Sequence, residues 1–162
     1  VFIDGLYKSI VKDDEAFCKN WYLSEKHIKK MHDAFGCIGS HAYSHSPLAR
    51  LDKPSMREEL SCSKDILEDI VREPIFSLSY PLGNKTAVSQ ELGSTAMECG
   101  YRFAFTMERE INRDNKHPML MARIDCNDLP VFGKSPIFQV VNGDWCRLTG
   151  EPSAPKWFCN AE

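Results

Sequence analysis

Short runs rich in branched and aromatic residues alternate along this chain with longer segments whose apolar residues return every three or four positions. Ile75-Phe76-Ser77-Leu78-Ser79-Tyr80 is a run of the first kind; Met56, Leu60, Leu67 and Val71 mark a segment of the second. A strand–helix–strand–helix rhythm restricts the fold, because consecutive strands joined by helices must pair in parallel and the helices must cover the sheet. The class expected is α/β. In parallel α/β architectures the chemistry gathers at the C-terminal ends of the strands. That rule singles out His41, the turn after Tyr80, and Asp125.

The individual elements follow from local signals. Val1-Phe2-Ile3 reads as a buried strand, and the polar stretch after it reads as loop. Ser24 suits an N-cap, with Glu25 in the first turn, Ile28, Met31 and Phe35 on one face, and Gly36 as the stop. His27 and His32 fall within this helix and are expected on its surface. Cys37-Ile38-Gly39-Ser40-His41 is a short strand ending in a histidine, and Pro54 opens the next helix. Pro74 precedes the strand 75–80, which Pro81 and Gly83 close. A third helix is expected over 87–99, burying Val88, Leu92 and Ala96 and stopping at Gly100. Strands are expected at 102–106 and 119–125, with a last one at 137–141.

Bulk properties narrow the partners. The 162 residues are 43% hydrophobic and 27% charged, which suits one soluble globular domain with a real core. The net charge is -3 and the Lys and Arg residues are scattered, so no basic stripe exists for nucleic acid. No uncharged run approaches the roughly 20 residues of a membrane span. Cys18, Cys37, Cys62, Cys99, Cys126, Cys146 and Cys159 are odd in number, irregular in spacing and without a C-x-x-C. They are expected to be buried or half-buried free thiols, which inclines the reading toward a cytoplasmic, reducing compartment.

His41-Ala42-Tyr43-Ser44-His45 places two imidazoles four residues apart just after a strand. One helical turn there would let both rings share a metal; ordinary polar packing accounts for the spacing as well. Tyr80-Pro81-Leu82-Gly83, taken alone, is a strand-to-helix turn. The wider pattern is more specific. Gly36-Cys37-Ile38-Gly39-Ser40-His41-Ala42-Tyr43-Ser44-His45-Ser46-Pro47-Leu48 resembles the double-histidine motif of the NodB-like polysaccharide deacetylases, carbohydrate esterase family 4. Phe76-Ser77-Leu78-Ser79-Tyr80-Pro81-Leu82-Gly83 is similar to that family's Phe-Ser-Tyr-Pro-x-Gly loop. Gly100-Tyr101-Arg102-Phe103-Ala104-Phe105-Thr106 is similar to its Gly-Tyr-x-x-Ala-x-Thr, and Ala122-Arg123-Ile124-Asp125 to its Pro-Arg-Ile strand. The four matches stand in family order and span about residues 1–126.

The resemblance implies a distorted (β/α) barrel with its first strand and helix missing. Residues 1–130 would form a partial deacetylase-like domain, and 131–162 an unassigned remainder of the same domain. It implies a hydrolase that removes acetyl groups from N-acetylated polysaccharide or oligosaccharide with a divalent metal, zinc being the ion expected. His41 and His45 would be metal ligands, the backbone N–H of Leu82 the oxyanion donor, and Tyr80, Pro81 and Gly83 substrate-binding residues. The sequence also departs from the family pattern. Val1-Phe2-Ile3-Asp4-Gly5 is too close to His41 to be the opening Thr-Phe-Asp-Asp-Gly, so the Asp pair that supplies base and third ligand is expected upstream of residue 1. The Arg that usually orients the base is Ser79 here, and Arg123 is the expected substitute, with Asp125 beside it as a further catalytic candidate. No Leu-x-His follows to supply a general acid. A catalytically degenerate, carbohydrate-binding domain is therefore the alternative reading.

Overall fold

A computed structural model of the chain describes residues 2–112, 117–126, 129, 138–141 and 144–147, the last two segments as backbone. Helices dominate the N-terminal part: α1 (Phe2–Ile10), α2 (Asp14–Trp21), α3 (Glu25–Phe35) and α4 (Lys53–Val71). Strand β1 (Ser77–Ser79), helix α5 (Gln90–Glu98) and strand β2 (Phe103–Phe105) follow, and β3 (Phe138–Val141) pairs antiparallel with β4 (Asp144–Arg147).

Caps explain where the helices begin and end. At α3 the Ser24 hydroxyl accepts from the His27 N–H and the His27 ring accepts from the Ser24 N–H, a capping box with histidine in the usual Glu position. Gly36 ends the helix at φ 74°, a left-handed turn that glycine takes without strain. At α4 the Asp52 carboxylate accepts from the Ser55 N–H at 2.9 Å, Pro54 sits in the first turn, and Arg72 closes the helix at φ 62°. Ser89 caps α5 by accepting from Leu92 N–H at 3.1 Å.

The parallel sheet is narrow and positions the site. Leu78 of β1 lies opposite Ala104 of β2 in parallel register. Ser40 forms a parallel bridge to Leu78 on one side, and Met121 a parallel bridge to Phe105 on the other. Four chain segments therefore run the same way, in the order Ser40, β1, β2, Met121. The helices pack their apolar faces over this array: Met56 and Leu60 from α4 and Leu92 and Ala96 from α5 are buried with Leu78 and Ala104. The α/β class expected from the alternation is what these elements build.

Several local expectations fail for identifiable reasons. The segment beginning Phe2-Ile3 is helix, not strand. Its apolar residues Phe2, Ile3, Leu6, Tyr7 and Ile10 recur at helical spacing, and no described strand lies beside it to satisfy an extended backbone. The polar stretch read as loop contains α2, capped by Asp13, whose carboxylate accepts from Ala16 N–H at 3.0 Å. The strand expected at 37–41 reduces to the single bridge at Ser40, and that at 119–125 to a 3₁₀ turn (Pro118–Leu120) followed by the Met121 bridge. Helix α5 starts later than expected, because Ala87 and Val88 are buried in the turn ahead of its cap. His32 is not a surface residue: its side chain is 13% exposed and lies 3.6 Å from Glu73. Cys18, Cys37 and Cys126 are exposed rather than buried; Cys62 and Cys99 are half-buried, and all five are free. Cys146 lies in β4 with its side chain outside the description, and Cys159 outside the described residues altogether. Among the described residues no helix is long and apolar enough to cross a membrane.

One polar cluster ties α4 to the start of β1. Lys64 pairs with the Glu68 carboxylate and donates to the Ile75 carbonyl, and Glu68 accepts from the Ile75 N–H at 2.8 Å. Partial burial pushes the Glu68 carboxyl upward, but Lys64 and the Ile75 N–H outweigh it, leaving its pKa below the ordinary glutamate value. A lowered folded-state pKa adds stability that is present above the unfolded value and lost as pH falls through the folded one. Glu68→Gln is accordingly expected to lower the melting temperature by a few degrees at pH 7. The gap from wild type should close as the solution is acidified below pH 4. A gap independent of pH would show that Glu68 acts by packing alone.

Candidate active site at the strand ends

Because the four parallel segments share one direction, the residues that leave them gather at one end. His41 follows Ser40, the turn 80–83 follows β1, Thr106 and Met107 follow β2, and Arg123 follows Met121 by two residues.

His41 Nδ1 lies 2.6 Å from the Ser79 carbonyl oxygen. A carbonyl only accepts, so Nδ1 carries a proton, and in the corresponding neutral tautomer the lone pair lies on Nε2. The His41 and His45 rings stand edge to face with centroids 4.9 Å apart, both exposed. The loop between them is bent by Ala42 at φ 62° and His45 at φ 60°. Left-handed conformations of this kind cost roughly 1–2 kcal/mol per non-glycine residue, so something must hold them. Glu59 of α4 does: one carboxylate oxygen accepts from the N–H groups of Tyr43 at 3.1 Å and Ser44 at 2.8 Å. Partial burial raises the Glu59 carboxyl, but the hydrogen bonds from Ser44 and Tyr43 outweigh this and keep its pKa below the ordinary value.

The turn after β1 is fixed from inside. Tyr80 is fully buried, donates its hydroxyl to the Met119 carbonyl at 2.9 Å, and burial pushes its phenol pKa far up. Pro81 and Gly83 are buried as well. These three, expected to meet substrate, turn inward, and the exposed residue of the turn is Leu82. Leu82 sits at φ 61°, and among the described residues its N–H has no acceptor. Gly83 is required sterically: its φ is 60°, and a Cβ there would lie 2.7 Å from the Met107 backbone nitrogen, which donates to the Gly83 carbonyl.

Arg123 donates to the Ser79 hydroxyl at 3.3 Å. Ser79 thus holds His41 through its carbonyl and Arg123 through its side chain, so a guanidinium from the segment beyond β2 reaches the position where the family pattern has an arginine. Asp125 faces Arg109 at 3.8 Å. Asn112 clamps the adjacent backbone, donating to the Ala122 carbonyl at 2.7 Å and accepting from its N–H at 3.0 Å. Neither Asn112 nor Glu59 stands out in the sequence. Each works on backbone groups distant in the chain, which leaves no motif.

A metal is implied by the family pattern, and the pair fits two of its ligands: two imidazoles face each other, and His41 is oriented through its second nitrogen as metal-bound histidines are. Among the described residues no third Asp, Glu, His or Cys completes a metal-holding group. Asp125 does not join the pair. The adjacent aspartates Asp13 and Asp14 sit at the start of α2 rather than at a strand end.

A family model described as polysaccharide deacetylase matches residues 8–104, more than half of the chain. No curated protein matches. A polysaccharide deacetylase from Bacillus cereus is 27% identical with a TM-score of 0.53, over 63% of this chain and 32% of that one. A Streptococcus pyogenes deacetylase in complex with acetate is 20% identical with a TM-score of 0.58, over 63% and 44%. A Bordetella bronchiseptica deacetylase domain is 16% identical with a TM-score of 0.57, over 64% and 49%. The chain spans less than half the length of each of these three structures. On the strength of the family match over residues 8–104, this chain belongs to the polysaccharide deacetylase family.

Proposed function

We propose that this chain acts in the hydrolytic removal of N-acetyl groups from an amino-sugar polysaccharide or glycan precursor, with a divalent metal, zinc being the ion expected. The sheet would be part of a distorted (β/α) barrel, with residues 1–130 and 131–162 in one domain. The observation that carries the reading is the pair of facing imidazoles at the strand ends, with His41 Nδ1 tied to Ser79 and Nε2 left to bind. His41 and His45 would hold the ion. Held there, a divalent cation would supply Lewis-acid polarisation of the acetamide carbonyl and activation of the attacking water.

The chain's own groups do the rest. The Leu82 N–H, without an acceptor among the described residues, donates to the acetamide oxygen as that oxygen gains charge in the tetrahedral intermediate. Gly83, packed against Met107, keeps that N–H in place. From its contact with Ser79, the Arg123 guanidinium orients a carboxylate base and favours its ionised form. Asp125, paired with Arg109, keeps a second charge pair close to Arg123 in the chain. Leu82 and the buried Tyr80-Pro81-Gly83 framework form the wall against which the sugar rests.

A second reading has one observation in its favour. No carboxylate joins the histidine pair among the described residues, as a domain that binds glycan without cleaving it would show. The two are separated by joining a segment with a strand-end Asp pair ahead of Val1 and measuring acetate release from an N-acetylglucosamine oligomer. Release that requires zinc or cobalt and stops with a chelator is the expected result. Oligomer binding without release under any ion would establish the binding domain instead.

A further inference from the structure

We infer that Glu59 is a positioning residue for the double-histidine loop, setting the separation and orientation of the His41 and His45 rings from helix α4. The inference rests on the reading of that pair as metal ligands, but its structural basis is independent of any ion. The loop carries two left-handed residues, Ala42 and His45, and such a backbone does not persist unless its surroundings impose it. The imposing group is a single carboxylate oxygen that receives two consecutive N–H groups, from Tyr43 and Ser44. Bonds of this kind to an ionised acceptor are about twice as strong as neutral ones.

Neither N–H has another acceptor among the described residues, so removal of the carboxylate frees both at once. The second contact in the loop, between the Ser44 and Ser46 hydroxyls at 2.8 Å, is local and cannot anchor the loop to the helix. His45 follows Ser44 directly, so its ring direction is inherited from the backbone that Glu59 holds. His41, by contrast, is anchored separately through Ser79. Loss of Glu59 should therefore move one ring relative to the other rather than both together. Glu58, exposed on the same helix, has no such contact and serves as the control.

The test compares histidine ring signals by NMR in zinc-free residues 1–162 and zinc affinity by calorimetry. Glu59→Ala is expected to shift the His45 ring signals, abolish its ring contact with His41, and weaken zinc binding about 10–100-fold. Glu59→Gln keeps an acceptor oxygen and should give a smaller shift in the same direction, which decides the matter if the alanine variant does not fold. Glu58→Ala should leave the rings unchanged. Glu68→Ala should lower the melting temperature without moving them. Unchanged His45 signals in both Glu59 variants, or equal shifts in Glu68→Ala, would overturn the inference. Wild-type protein that binds no zinc through His41 and His45, yet shows the ring shifts, would overturn the metal reading and leave the positioning role standing.

Discussion

Alanine at His41 or at His45 is expected to take zinc-dependent acetate release below detection in the chain joined to an upstream Asp pair, while His27→Ala leaves the rate unchanged. The contrast comes from position. His41 and His45 face one another at the strand ends. His27 is exposed at the start of α3, where its ring accepts from the Ser24 N–H, a capping contact that touches stability only slightly. In the joined chain each histidine would be one of only three protein ligands, and losing either would take with it the carbonyl polarisation and water activation that the ion would supply. Residues 1–162 without the added segment should show little or no activity: the missing base alone is worth about 10²–10⁴-fold, and the missing third ligand weakens water activation as well. The measurement is acetate released per enzyme from an N-acetylglucosamine oligomer. Full turnover by residues 1–162 unaided would mean that a carboxylate already in the chain serves as base.

Tyr80→Ala should produce the largest loss of stability of any substitution at the site. The ring is fully buried beneath the Leu82 turn, and its hydroxyl satisfies the Met119 carbonyl. Removing a buried aromatic costs about 3–5 kcal/mol, because the cavity collapses only in part. For a domain of this size that corresponds to a fall in melting temperature of roughly 6–20 °C. Tyr80→Phe keeps the ring and leaves one buried carbonyl unpaired, a cost of about 1–3 kcal/mol. Thermal melts of the two variants followed by circular dichroism separate the contributions. Equal losses would mean that the hydroxyl, not the ring, holds the turn.

Elements with strong local signals were legible in the sequence. Ser24 and Gly36 act through backbone groups within a few residues, so this cap and this stop survive whatever the tertiary surroundings. Helix α4 shows the limit: Met56 and Leu60 of its stripe are buried and Leu67 and Val71 are partly buried against the core, but Ser63 and Ile70 are buried as well. Strands were less legible, because an extended segment becomes a strand only when a neighbour accepts its hydrogen bonds. Phe2-Ile3 has no such neighbour among the described residues and is helical; Ser40 and Met121 have one each and reduce to single bridges. At the site, His41, His45 and the Tyr80–Gly83 turn were visible because they lie close together in the chain. The link from Arg123 to Ser79 spans 44 residues and that from Glu59 to Ser44 spans 15, and no periodicity encodes either.

The hydrogen bond from His41 to Ser79 joins residues 38 apart, and the Ser40–Leu78 bridge beside it closes the same long loop. Contacts of this separation form late, since the chain must lose loop entropy before it gains anything from them. Helices α3 and α4 can nucleate from their own caps, but no helical intermediate contains a formed site. Ligand affinity should therefore appear in a refolding experiment with the slowest phase, after helical signal has recovered, and amide protons of Ser40 and Ser79 should exchange only when the whole domain opens.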